Sequence, residues 1–228
     1  MALSFPLSTA DFFSGLAVES VTWDLGESLG ISRTGGGAVL TYDDGPRLWR
    51  GTVYLRPGYH DDISEQAAKL DLIRYSGRPF FAYNPVRAGP RYDPSGIVLA
   101  ASTPTIGAIA SNNRDLTISG LPSSYVLSAG DLLSFTYLSS PTRYAMHRVA
   151  VGAIADTSGS ATVELSSYIR TGAAAGASIT LIKPFIKAVY IPGSFGFTSM
   201  MSGAGSYGAS QINVTAGPSF QFIQTLGA

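Results

Sequence analysis

A chain of 228 residues is long enough to bury a proper core, either as one large all-β domain or as two smaller ones. Its 15 basic and 15 acidic residues cancel, no run of like charge exceeds two, and cysteine is absent. That excludes a nucleic-acid-grasping charge footprint, a disulfide framework, thiolate metal sites and a cysteine nucleophile.

The amino-terminal stretch "MALSFPLSTADFFSGLAVES" has neither the basic start nor the apolar block of a secretion signal. No segment reaches the roughly 20 apolar residues that span a bilayer, so a soluble protein without membrane insertion is expected. Charged residues make up only 13% of the chain, and Gly, Ser, Ala, Thr and aromatics fill the difference, a bias toward strands and tight turns.

The first periodic signal has period two: Leu16, Val18, Ser20 and Thr22 oppose Ala17, Glu19, Val21 and Trp23, an imperfect alternation that favours a strand. "GGGAVLTYDDGPRLWRGTVYLRP" then predicts a β-hairpin whose reversal is the turn-forming cluster Asp43, Asp44, Gly45 and Pro46. In its second strand Trp49, Val53 and Leu55 line a core face, and Arg50, Thr52, Tyr54 and Arg56 a polar, aromatic face fit for contact. "DDISEQAAKLDLIRYSG" predicts the one helix, with Asp62 as N-cap and Glu65 three positions on as its reciprocal partner. Ile63, Ala67, Leu70 and Ile73 recur near helical spacing, and Gly77 is fit to end the element. "RPFFAYNP" reads as a strand stopped by Asn84 and Pro85.

"PVRAGPRYDPSG", with three prolines and two glycines, reads as a connection to a second module. Short strands are then expected at 115–118, 125–127, 132–137, 144–154, 161–165 and 178–183, a rhythm that suggests a small sandwich or barrel. Within it Gly130 and Asp131 make one bend, and Asp156, Thr157, Ser158 and Gly159 another. After a strong strand in "FIKAVYIPGSFGF", a Gly/Ser/Ala-rich loop, a strand near 212–215 and a last strand follow. In the last, Phe220, Phe222 and Gln224 alternate with Gln221 and Ile223. These closing strands look like the first module resuming, so a domain of residues 94–186 inserted into one of residues 1–93 plus 187–228 is expected.

Chemistry is sparse. The two histidines, His60 and His147, have no metal-ligand spacing, and His60 with Asp61 and Asp62 is better explained as the start of a helix than as a cation site. His147 reads as a strand residue bonded to a neighbour. No nucleophile elbow, phosphate loop or zincin helix occurs, and "TGGGA" at 34–38 does not lead from a strand into a helix as a dinucleotide site requires. The adjacent pairs Asp43/Asp44 and Asp61/Asp62 point apart and cannot flank a glycosidic bond. Trp49, Tyr83, Tyr92 and Tyr144 are of the type that stacks on sugars, but core or subunit contact accounts for them better. No catalytic, cofactor or metal residue is expected.

The runs "LPSSYVLSAGDLLSFTY", "RYAMHRV", "ADTSGSATVEL", "SYIRTGAAAGASITLIKP" and "VYIPGS" resemble a segment of distal tail proteins from long-tailed phages and prophages of alphaproteobacteria. The resemblance covers roughly residues 75–195, and the earlier hairpin and helix resemble that family's belt domain. It implies a mainly β protein: a β-sandwich belt domain with one α-helix, carrying an inserted small β-barrel or galectin-like domain. It further implies a non-catalytic structural protein of the virion tail tip, assembled in the host cytoplasm. Six copies would form a ring that joins the tail-tube protein above to hub or tip proteins below, with DNA only passing through the lumen. A chain without basic clusters suits such a lumen. Ring closure needs a heterologous contact, for which Arg50, Thr52, Tyr54 and Arg56 and the terminal strand at 219–225, with Phe220 and Phe222, are the expected surfaces. For the inserted domain, docking of tail proteins competes with carbohydrate binding at the host surface.

Overall fold

A computed structural model describes residues 4–196 and 214–227. The protein is mainly β, about 40% strand, with one α-helix among the described residues and several antiparallel sheets, one of them curled as a half-barrel. The chain divides into two compact units, the first Met1–Phe80 with Ala188–Thr225, the second Phe81–Lys187 with Leu226–Ala228.

In the first unit, β1 (Val18–Leu25) pairs antiparallel with β4 (Trp49–Leu55), and β4 pairs with β17 (Ser219–Gln224). The five-stranded order is β1-β4-β17, then β15 (Phe185–Tyr190) and β6 (Phe80–Tyr83). A bulge between Val18 and Ser20 explains the imperfect alternation of this stretch, because the extra residue swaps faces and turns Val21, Trp23 and Leu25 inward. The inner face is built from rings. Phe12 meets Phe80 with centroids 5.0 Å apart, Trp23 meets Phe222 at 5.0 Å, and Phe80 lies 6.3 Å from both Phe220 and Phe222. Gly51 sits under this cluster: a Cβ there would lie 2.7 Å from the Phe222 ring and nearer still to the Thr22 carbonyl.

The expected hairpin pairing is corrected. The strand at 39–43, β3 (Val39–Asp43), does not pair with β4; it pairs with β2 (Leu29–Arg33), and "TGGGA" is the reversal between them. Thr34 closes that turn, its N–H donating to the Ala38 carbonyl (2.9 Å) and its hydroxyl accepting from the Ala38 N–H (3.1 Å), with Gly37 at φ 84°. Asp43 to Pro46 lies instead where the β2–β3 ladder meets the β1–β4 ladder.

The helix exists but starts three residues earlier than expected. α1 (His60–Ile73) has Tyr59 at its N-cap with no side-chain cap bond. Asp62 is therefore not the cap: with Asp61 it sits in the first turn, where a negative charge faces the positive end of the helix dipole. Glu65 pairs with Lys69 one turn on at 2.8 Å. Ile63, Leu70 and Ile73 are buried as the spacing requires. Beside the helix start, β5 (Gly58–Tyr59) pairs with β16 (Val214–Thr215). The loop expected between 198 and 211 and the first residues of the strand near 212 lie outside the described residues.

In the second unit, a six-stranded sheet has the order β14-β10-β11-β13-β8-β7. In chain order its strands are β7 (Thr105–Ile109), β8 (Asp115–Ser119), β10 (Leu132–Tyr137), β11 (Arg143–Val151), β13 (Ala161–Leu165) and β14 (Ile179–Thr180). The edges of the curled sheet are tied: Thr105 bridges Ser178, the Ile106 N–H donates to the Ala177 carbonyl (2.9 Å) and the Ile179 N–H to the Pro104 carbonyl (2.8 Å). Tying edges in this way removes a pairing hazard. Leu116, Ile118, Leu133, Phe135, Val149, Val163 and Leu165 fill the interior. The strand expected at 144–154 breaks at Gly152, where a side chain would strike the Leu127 carbonyl, and β12 (Ala153–Ile154) leaves to pair with β9 (Val126–Leu127).

The boundary expected at 93/94 falls at 80/81, because the Pro/Gly-rich stretch is fastened into the second unit. Asp93, only 4% exposed, accepts from the N–H groups of Val98 (3.1 Å) and Leu99 (2.8 Å) and from the Tyr125 hydroxyl (3.2 Å). Asp131, at the bend with Gly130, is a turn residue with longer reach, accepting from the N–H groups of Ser128 (2.8 Å) and Arg91 (2.9 Å). Asp156 does the same locally for the N–H groups of Ser158 and Ser160.

Candidate contact surfaces

Period two in β4 gives one buried and one open face. Trp49, Val53 and Leu55 are buried, whereas Arg50, Tyr54 and Arg56 are exposed and Thr52 half-buried. Register extends the open face sideways: Asp24, Thr22 and Ser20 of β1 stand opposite Arg50, Thr52 and Tyr54, and Ile223, Gln221 and Ser219 of β17 stand on the other side. Arg50 and Asp24 pair at 3.3 Å, both well exposed, so their attraction adds little to stability. The face is a hydroxyl and amide lattice, with Tyr54 as its large ring.

Phe220 and Phe222 do not belong to that surface. Both have zero exposure and occupy the aromatic core, so no partner reaches them while the unit is folded. On β17 the outward residues are Gln221, exposed, and Ile223, half-buried.

The surface that sequence periodicity misplaced is the β2–β3 ribbon. Gly26 to the turn at Gly36 spans roughly 30 Å at about 3.3 Å per residue. Every residue of β3, and every residue of β2 except Gly30, is exposed. Leu29, Ile31, Val39, Leu40 and Tyr42 are each more than half exposed. Cross-strand pairing puts Leu29, Ile31 and Val39 on one face together with Arg33, Thr41 and Asp43, and Leu40 and Tyr42 on the other. Tyr42 lies flat over Gly30, whose missing side chain makes the room. A lone two-stranded ribbon is marginal in water, and five bare apolar side chains along one arm form an unpartnered surface. Its signature was present in the chain: two alternating five-residue runs around a Gly-rich turn.

The buried histidine serves the packing of the second unit. His147 lies buried in β11, its Nδ1 2.9 Å from the Ser167 hydroxyl and its ring stacked on Phe135 at 5.4 Å. Nε2 is buried with no hydrogen-bond partner among the described residues, and burial, helped by the Arg170 charge, lowers the pKa to about 4. An unfolded histidine takes its proton near 6.5, so between 6.5 and about 4 the unfolded chain holds more protons and stability falls as the pH drops. The loss reaches about 3 kcal/mol, at about 1.4 per pKa unit, and this contribution is constant above the window. Urea midpoints at pH 7, 5 and 4 check this: the wild type weakens across the series, while His147→Gln stays nearly level. An equal loss in both would assign the effect elsewhere.

Among the described residues no three His, Asp or Glu side chains converge as a metal site requires, and the side chain of His60 lies outside them. Of the aromatics suited to sugars, Trp49 and Tyr83 are buried and Tyr92 is exposed. A cleft of about 120 Å³ lined by Ser134, Phe135, Tyr144 and Phe185 is small beside the roughly 300–1,000 Å³ of ligand pockets. Among the described residues, no helix is long and apolar enough to cross a membrane. Neither the protein-family models nor the curated proteins searched give a significant match.

Proposed function

We propose that the chain is the protomer of a ring at the tip of a phage tail, a distal tail protein that joins tail tube to tail hub and leaves an open channel for DNA. Its role is structural and uses no catalytic group or cofactor. The observation that carries this reading is the β2–β3 arm, with its apolar side chains facing water on both sides. Such an arm is marginal by itself and gains stability when covered, and an arm on one protomer that lands on a different surface of the next makes a heterologous contact, the kind that closes rings. The neutral, sparsely charged chain fits a lumen that must not hold phosphate. The belt of the ring corresponds to the first unit, and the open face carrying Arg50, Thr52, Tyr54 and Arg56 offers a second contact area.

Light scattering with negative-stain imaging tests it. The expected result is a mass near about six chains and annular particles. Ile31→Asp combined with Leu40→Asp is expected to give a folded monomer, because positions exposed on the isolated chain contribute no more than about 0.5 kcal/mol to its own fold. A wild-type monomer at every concentration, with or without tube protein as template, would overturn the ring.

A further inference from the structure

The segment at 84–102 presents apolar side chains on an immobilised backbone. Ile97 and Val98 are 79% and 55% exposed, and Val86 and Tyr92 of the same segment 77% and 65%. Their backbone is held from beneath: Asp93 receives the N–H groups of Val98 and Leu99, Asp131 receives that of Arg91, and Gly96 at φ 77° sits against Ile182. A surface fixed before binding loses little entropy on association. Its charge has one sign. Asp93, the one acid between 81 and 114, is buried; Arg87 turns to Asp131 at 3.7 Å; and Arg91 is exposed with no ion pair among the described residues.

The root of the arm has the opposite character, whereas Arg33 stands exposed toward its tip. Glu27, Asp43 and Asp44 are exposed at its root with no ion pair among the described residues, while Arg47 is taken up by the carbonyls of Leu25 and Gly26. Asp43 shares a face with Leu29, Ile31 and Val39. Residues 26–47 also match the roughly 20–30 residues that one side of a specific interface contributes.

We propose that the arm of one copy docks on the 84–102 turn of another copy, apolar face to apolar turn, with Asp43 and Asp44 against Arg91. The contact is heterologous and rests on the ring reading: it names where the arm lands. Apolar centre with Arg and Tyr at the margin is the composition of a protein interface, and the charges set register and partner choice.

Charge exchange in the full chain tests it, with self-association followed by sedimentation velocity over a concentration series. Arg91→Glu alone, and Asp43→Lys with Asp44→Lys, are each expected to weaken assembly by about tenfold or more, and all three together to restore it to within about threefold. Losses that simply add in the triple variant, or single variants that assemble like wild type, overturn this docking while leaving a ring closed by other surfaces. A wild-type chain that never associates overturns the docking and the ring together.

Discussion

Phe222→Ala lowers the stability of the first unit by about 3–5 kcal/mol, the cost of deleting a fully buried phenylalanine ring. The ring has zero exposure and touches three aromatic neighbours: Trp23 at 5.0 Å, Phe80 at 6.3 Å and Phe13 at 6.4 Å. Trp23 and Trp49 are the chain's two tryptophans and both lie in the first unit, so their fluorescence in a urea titration reports this unit alone. Tyr54→Ala on the open face is the control and changes stability by no more than about 0.5 kcal/mol. The comparison separates core from contact surface. If Phe222→Ala left the urea midpoint in place and only dissociated the assembly, Phe222 would be a subunit contact after all.

That result also explains a limit of periodicity. The alternation of Phe220, Phe222 and Gln224 with Gln221 and Ile223 is plain in the chain, and the two faces are as alternation requires. Which face is interior is not local information, because aromatic side chains serve cores and interfaces alike. In β4 the same pattern was unambiguous, since the outward face carries Arg50 and Arg56 follows directly after the strand. Pairing partners were hidden in the same way: Asp43 to Pro46 marks a change of direction, yet the strand before it pairs backward with β2 and not forward. β7 escaped notice because Gly107 and a bulge between Ile106 and Ala108 interrupt its alternation. The Pro/Gly-rich stretch looked like a linker because its fastenings are long-range, Arg91 to Asp131 across 40 positions and Asp93 to Tyr125 across 32.

Removing one of those fastenings is the more informative perturbation. Asp93→Ala leaves two backbone N–H groups and the Tyr125 hydroxyl without their acceptor. At about 1–3 kcal/mol for each buried orphan, less what entering water returns, the second unit loses roughly 3–5 kcal/mol. The pH dependence identifies the cause. Burial alone would push the Asp93 carboxyl up, but the donated hydrogen bonds of Leu99, Val98, Tyr125 and Ile97 outweigh it and hold the group below its ordinary 3.8. Its contribution is therefore complete above 3.8 and disappears as the pH falls through the lower folded value, a window below that of His147. Tyr125 works in the other direction: burial first, then the Asp93 charge, raises its pKa above 10.0, so stability is complete below 10.0 and declines at higher pH. In Asp93→Ala the part of the decline that lies below 3.8 shrinks while that of His147 between 6.5 and about 4 remains, and the tyrosine titrates earlier, read by absorbance. Hydrogen exchange supplies the local test: the amides of Val98 and Leu99 lose protection while those of β13 keep theirs. If all amides of the second unit opened together, Asp93 would be holding the whole unit and not the turn, and the turn would owe its rigidity to Asp131 and Gly96.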